Sequence, residues 1–308
     1  MIDPDSHPLN QDELDLLHNW CSTTYLSFSS AWDFDPELWR TIILRTASRH
    51  PSLLEGISAL SALQLAHRSS RQDVPRQKAL LNSAYTHQRN AQSGLNDILQ
   101  HYPGNADHDV LFKLYEILVV FEFASIQHFR SPSSSSALDV LSQIFRHLRA
   151  STTNLARLVN GIYEQKVAKK PPIPRMPNTF EVAISKLRRL NSQTQDDNPK
   201  RKPVYDEATK QLALCLGYMS WSSKPGIVEL SWFLFISDEM MGLIADRQPM
   251  ALAILAHYCA LLYHLRDQWW VADVGIRVLE DIGHLLGHEG ISAISWVVDV
   301  TGVCPAGL

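Results

Sequence analysis

Ala251, Ile254, Leu255, Tyr258, Leu261, Leu262 and Leu265 recur at spacings of three and four, the cleanest such pattern in the 308-residue chain. That spacing lays them along one stripe of a 3.6-residue helix, so the segment must be helical and must bury the stripe. Pro249 stands where a first helical turn accepts proline, because the missing N–H would be unbonded there anyway. Leu53, Ile57, Leu60 and Leu63 repeat the pattern between His50 and His67. Both stretches also carry many small residues, which lets neighbouring helices approach closely. No stretch sustains the period-two alternation of a half-buried strand. The expectation is an all-α chain, an irregular multi-helix bundle of about ten helices in two packed halves.

Capping signals place further helices. Asn10 followed by Glu13 has the form of a capping box ahead of Leu14, Leu16, Leu17 and Trp20. Asp35-Pro36-Glu37 combines an N-cap acid, a proline at the first helical position and an acid near the helix dipole. The helix it opens carries Leu38, Trp39, Ile42 and Ile43. Ala84 to Leu99 and Leu111 to Phe129 follow. The second is the most apolar stretch, but Lys113, Glu116 and Glu122 interrupt it, and such charges are costly in hydrocarbon. A buried helix is expected there, not a membrane span. Ser131 to Ser136 reads as a linker, with Ser136 and Asp139 capping a helix toward Arg149. Another helix is expected from Val271 to Leu286.

Between Lys166 and Lys202 the composition changes: ten Lys/Arg face three Asp/Glu, with prolines at 171, 172, 174, 177 and 199. Prolines at that density forbid a continuous helix. The expected organisation is an N-terminal helical half over 10–165, a proline- and base-rich loop over 166–204 with one short helix near Phe180–Leu190, and a C-terminal helical half over 205–308. The three together form one domain.

Composition excludes several functions. Hydrophobic residues are 45% and charged residues 19%, as in an ordinary globular protein, and the formal net charge is -4. A module that grips phosphates alone carries a basic excess, so direct nucleic-acid binding is not expected. The four cysteines, Cys21, Cys215, Cys259 and Cys304, form no CxxC pair, which excludes a zinc ribbon or zinc cluster built from them and suits a reducing compartment. Met1 to Asn10 is polar, without the apolar core of a signal peptide. No GxGxxG, Walker A or G-x-S-x-G pattern occurs, and His288-Glu289 does not extend to HExxH. No catalytic residue and no cofactor are assigned.

Three arrangements have both a chemical and a plain reading. Asp281, His284 and His288, at i, i+3 and i+7, would offer a carboxylate and two imidazoles to a metal, yet they read more simply as a polar helix end, so no metal is assigned. His257 and His264 share a helical face as ligand contacts or as hydrogen-bonded core. The adjacent Trp269 and Trp270 point about 100° apart, which reads as one ring facing a cavity, a partner or a second helical layer, or as ordinary packing of both.

His50-Pro51 with Leu60-Ser61-Ala62, then Ala84-Tyr85-Thr86-His87-Gln88 with Ala91, then Pro249-Met250-Ala251-Leu252 with Ala256-His257-Tyr258 and the tryptophan pair, form three blocks. In combination they resemble the regulatory region of fungal zinc-cluster transcription factors, in particular the sterol-uptake-control branch. The resemblance runs from about Leu14 to Trp296. It implies an all-α domain that encloses an apolar, sterol- or lipid-like ligand and controls transcription through protein partners or a homodimer, in the nucleus or cytoplasm. Family members carry a six-cysteine zinc cluster ahead of this region. Here about nine residues precede the first helix, so no DNA-reading module is expected in this chain. The tail after Trp296 also lacks the Trp-Pro ending of the family.

The aromatics of the second half, Trp221, Phe233, His257, Tyr258 and Trp269, are the expected ligand contacts. Lys200-Arg201-Lys202 is the expected nuclear-import element, with a solvated loop as the plain alternative. Two other functions stay open at this point: a dimerisation partner that titrates a full-length regulator, and an enzyme of terpene-cyclase type. The latter would need magnesium-binding acids on facing helices, for which only Asp196-Asp197 and Asp12-Glu13-Leu14-Asp15 are available.

Overall fold

The computed structural model describes residues 11–28, 37–69, 73–101, 108–126, 128, 136–149, 178–193, 198–221 and 232–303; at 38, 42, 101, 108, 218–221 and 289 only the backbone is described. Among the described residues there are thirteen α-helices and no strand, so the chain is all-α. The helices group into two compact units, α1–α5 and α6–α13.

The first unit comprises α1 (Gln11–Ser22), α2 (Ile43–Ala47), α3 (Pro51–Arg68), α4 (Val74–His101) and α5 (His108–Ser125). A π-helical turn, Leu38–Ile42, leads into α2. The cap signals at Asn10 and Asp35-Pro36 fall outside the described residues. Helix α3 is the unit's axis. Pro51 occupies its first turn, and α1, α4 and α5 all pack on it. Small residues make this possible. A β-carbon on Gly94 of α4 would lie 2.1 Å from Ser52 Oγ, and one on Gly56 would lie 2.9 Å from Leu114 Cδ1 of α5.

A buried polar knot fixes α1 against α3. Gln64 Oε1 accepts from Asn19 Nδ2 at 3.2 Å, Thr23 Oγ1 at 3.0 Å and Thr24 Oγ1 at 2.7 Å. Converging three donors on one amide oxygen lets a polar cluster survive in an apolar setting. Helix α4 starts ten residues before the expected Ala84, because Asp73 Oδ1 accepts from Arg76 N at 3.2 Å and caps it. Helix α5 is buried as expected. Its Lys113 pairs with Glu116 at 2.9 Å and lies 4.4 Å from the Trp39 ring centroid. Among the described residues no helix is long and apolar enough to cross a membrane.

The second unit comprises α6 (137–149), α7 (Asn178–Gln193), α8 (Arg201–Trp221), α9 (Trp232–Phe235), α10 (Asp238–Ala245), α11 (Pro249–His264), α12 (Val274–Ile291) and α13 (Ser295–Thr301). Ser136 and Asp139 cap α6 as read from the sequence: Asp139 N donates to Ser136 Oγ at 3.1 Å. The sequence reading places α6 with the N-terminal half, but its bonds run to the second unit. Arg149 donates to the Phe233 carbonyl at 3.2 Å and pairs with Asp238 at 2.7 Å, and Arg247 bonds Asp139. Asn191 ties α7 to α8 by donating to Asp206 Oδ1 at 2.7 Å.

Helix α11 is the axis of this unit. Every residue from Met250 to Leu262 is buried, not one stripe alone. The stripe read from the sequence holds the large residues. Between them Ala253, Ala256, Cys259 and Ala260 leave the other side thin enough for α12 to lie against the backbone. A β-carbon on Gly275 would sit 3.0 Å from both the Cys259 carbonyl and Tyr263 N. Helix α12 breaks at Gly287, whose φ of 60° and ψ of -171° favour glycine, and resumes toward a 3-10 turn, Ser292–Ile294, that leads to α13.

Candidate functional site

Consecutive positions on α11 face different neighbours, because helical residues are rotated by about 100°. Tyr258 faces α6, α8 and α9. Its ring stacks on Trp232 at 4.9 Å and meets the edge of Phe145 at 5.7 Å, and Phe145 stacks on Phe233 at 5.1 Å. Trp232 is held by its Nε1–H, which donates to the Ala208 carbonyl at 2.9 Å. Phe145, Trp232, Phe233 and Tyr258 thus form one continuous aromatic cluster from three helices, and each is essentially out of solvent.

His257 faces the other way, toward α7 and α13. It is 0% exposed, and its ring lies nearly parallel to Trp296, 5.5 Å between centroids and 6° between planes. Phe180 of α7 meets Trp296 edge-on at 5.5 Å. The Nδ1 of His257 is 2.8 Å from the Ala253 carbonyl. A carbonyl only accepts, so Nδ1 carries the proton and the neutral ring presents a bare lone pair at Nε2. Burial pushes the imidazole pKa down to about 4, opposed by the Ala253 bond and assisted by the nearby Lys186 charge. At neutral pH this histidine is uncharged. Lys186 is itself engaged, bonding the Ser292 carbonyl and, at 2.8 Å, Ser295 Oγ.

The five residues expected to contact a ligand therefore do not converge. Phe233 and Tyr258 share the aromatic cluster, and His257 belongs to the layer behind it. Trp269 lies half-buried in the turn after α11, while its neighbour Trp270 is 1% exposed. The side chain of Trp221 lies outside the described residues. Phe145, Trp232, Lys186 and Trp296 escaped the sequence reading of the site. Phe145 stands on an apolar helical face that could have been extended to it, whereas nothing local marks Lys186.

Elsewhere the structure settles local chemistry. Asp281 accepts from Leu138 N at 2.9 Å and so anchors the start of α6. His284 and His288 are exposed, on opposite sides of the Gly287 break. Among the described residues no three His, Cys, Asp or Glu side chains gather as a metal-binding group. His264 is exposed, so the i, i+7 pair with His257 spans two environments. Asp196-Asp197 lies outside the described residues. In the basic run, Arg201 donates to Gln248 Oε1 at 3.1 Å and Lys202 to the Ser192 carbonyl at 3.3 Å, leaving Lys200 exposed.

Comparison with known proteins supplies the context. Residues 16–157 match the fungal specific transcription factor domain, a stretch that ends before α7 and leaves the α11 layers outside it. The chain is also similar to a Zn(2)-C6 fungal-type transcription factor of Gibberella zeae, 22% identical over 288 residues. That alignment covers 86% of this chain and 56% of the relative, so the chain spans little more than half the relative's length. The all-α architecture is consistent with that match: over residues 16–157 this chain is similar to a fungal specific transcription factor domain.

Proposed function

We propose that the chain is the ligand-responsive part of a transcription regulator: an apolar small molecule of sterol or lipid type binds in the second unit and changes which protein partner or second copy the chain engages. The observation that carries this reading is the gathering of aromatic rings on both sides of α11. Phe145, Trp232, Phe233 and Tyr258 lie on one side and His257, Trp296 and Phe180 on the other. Ligand sites in helical proteins are mostly apolar and aromatic, with a few polar atoms that fix orientation. A ligand that prefers one arrangement of these layers shifts the population toward it, and the partner surface follows. Contact with DNA is assigned to another polypeptide or segment, because this sequence has a net charge of -4 and no paired cysteines to hold a zinc cluster. The exposed Lys200 with Arg201 and Lys202 supports a nuclear-import role, and regulation of transcription requires nuclear access.

The test fuses the chain to a heterologous DNA-binding domain and measures a reporter in cells depleted of or supplied with sterols and long-chain lipids. In parallel, the purified chain is assayed for binding of a fluorescent sterol and a fluorescent fatty acid. Ligand-dependent output with saturable binding is expected. Reporter output independent of both lipids, with no saturable binding, would overturn the reading.

A further inference from the structure

Two buried polar atoms of opposite character lie on one pair of stacked rings. His257 Nε2 is an acceptor, because Nδ1 holds the proton, and it has no hydrogen-bond partner. Trp296 Nε1–H can only donate, and it too is out of solvent without a partner. Leaving either group unbonded in the interior costs free energy, so native structures pair nearly all of them. The stacking that brings the rings together does not satisfy either nitrogen.

We infer that His257 Nε2 and Trp296 Nε1 are a recognition pair for the hydroxyl group of a neutral, otherwise apolar molecule. The inference rests on the ligand-sensing reading above and gives its polar end a place. The chemistry follows from what each atom lacks. Nε2 needs a donor and Nε1 needs an acceptor, and a hydroxyl supplies both through one oxygen. An ether supplies only the acceptor. A carboxylate offers lone pairs to the lone pair of Nε2, and an ammonium has no acceptor and meets the charge of Lys186. The surroundings suit an apolar body: Phe180, Ile184, Val297 and the α11 alanines lie on the same elements. Trp296 stands on the seven-residue α13, reached through the Gly287 break and the 3-10 turn, so the wall that carries the donor is twice interrupted.

The probes are 1-decanol, decyl methyl ether and decanoic acid, titrated into the ¹⁵N-labelled full chain. The Trp296 indole signal is assigned as the one missing from Trp296→Phe. Decanol is expected to shift that signal and to bind about tenfold more tightly than the ether, the value of one hydrogen bond to a buried group. In His257→Phe, which keeps a flat ring against Trp296, the alcohol–ether difference disappears. In Trp296→Phe, decanol binding weakens about tenfold while the preference for alcohol over ether survives. This second variant lies on a partly exposed helix and keeps the test open if His257→Phe does not fold. Equal binding of alcohol and ether to the unaltered chain, or a preference that persists in His257→Phe, would overturn the pair while leaving apolar ligand sensing in place. A trapped water only, seen as a water–indole contact that no probe displaces, would overturn it as well. Failure of all three probes to bind would sink both the pair and the sensing reading.

Discussion

His257→Phe should flatten the acid side of this protein's stability curve. The imidazole has an ordinary value of 6.5 and a folded value of about 4, with burial as the main cause. Between those values the unfolded chain binds a proton that the folded chain refuses, so stability falls as pH drops. The penalty is absent above 6.5 and complete below 4. Its full size is about 3 kcal/mol, and about 2 kcal/mol is already lost at pH 5. His257 is 0% exposed, so no solvent screening reduces the figure. Burial also holds His67 and His128 low, and partial desolvation with the nearby Arg266 charge lowers the exposed His264, but all three are common to both proteins and cancel in the difference. The assay is urea unfolding followed by far-UV circular dichroism at pH 7.5 and pH 5. The unaltered chain should lose about 2 kcal/mol more than His257→Phe between the two conditions. The same loss in both proteins, within about 0.5 kcal/mol, would refute the reasoning, and an NMR titration placing His257 near 6.5 would show why.

Three further outcomes follow from the packing. Gly275→Ala should destabilise by about 1–2 kcal/mol although alanine is the better helix former, because the new carbon meets the Cys259 carbonyl and Tyr263 N at 3.0 Å. Gly56→Ala, which chiefly meets the flexible end of Leu114, should be nearly neutral by the same thermal-melt measurement, and equal costs would contradict the close approach of α12 to α11. Asp281→Ala should cost about 1 kcal/mol by leaving Leu138 N uncapped, and added zinc or manganese should not alter the melting temperature of either protein. Gln64→Ala should cost about 2 kcal/mol and speed amide exchange in α1, since Asn19, Thr23 and Thr24 lose their common acceptor; unchanged exchange there would dismiss the knot as an anchor.

Start signals were as reliable as the side chain that makes them. Ser136 with Asp139 and the prolines at 51 and 249 begin helices where the sequence places them. Asp73 was equally available as a cap ahead of Val74-Pro75, but the apolar period becomes clear only at Ala84, so α4 reads ten residues short. Arg201 and Lys202 look like loop residues because of Pro199 and Pro203, yet proline in a first turn begins a helix as readily as it ends one.

Periodicity alone determined that the chain is helical and which large side chains on α11 and α3 turn inward, because a 3.6-residue repeat is a property of neighbours along the chain. The family likeness was legible for a related reason: it resides in short blocks of adjacent residues. The grouping of α6 with the second unit was decided by Arg149, Asp139 and Asp281 bonding residues roughly a hundred positions away. So was the burial of α11 on every side, which needs a glycine on another helix, and so was the separation of His257 from Tyr258 into two layers. The stacking of His257 on Trp296 is of the same kind. Such facts depend on which surfaces meet once the helices pack, and no local pattern records a partner that distant in the chain.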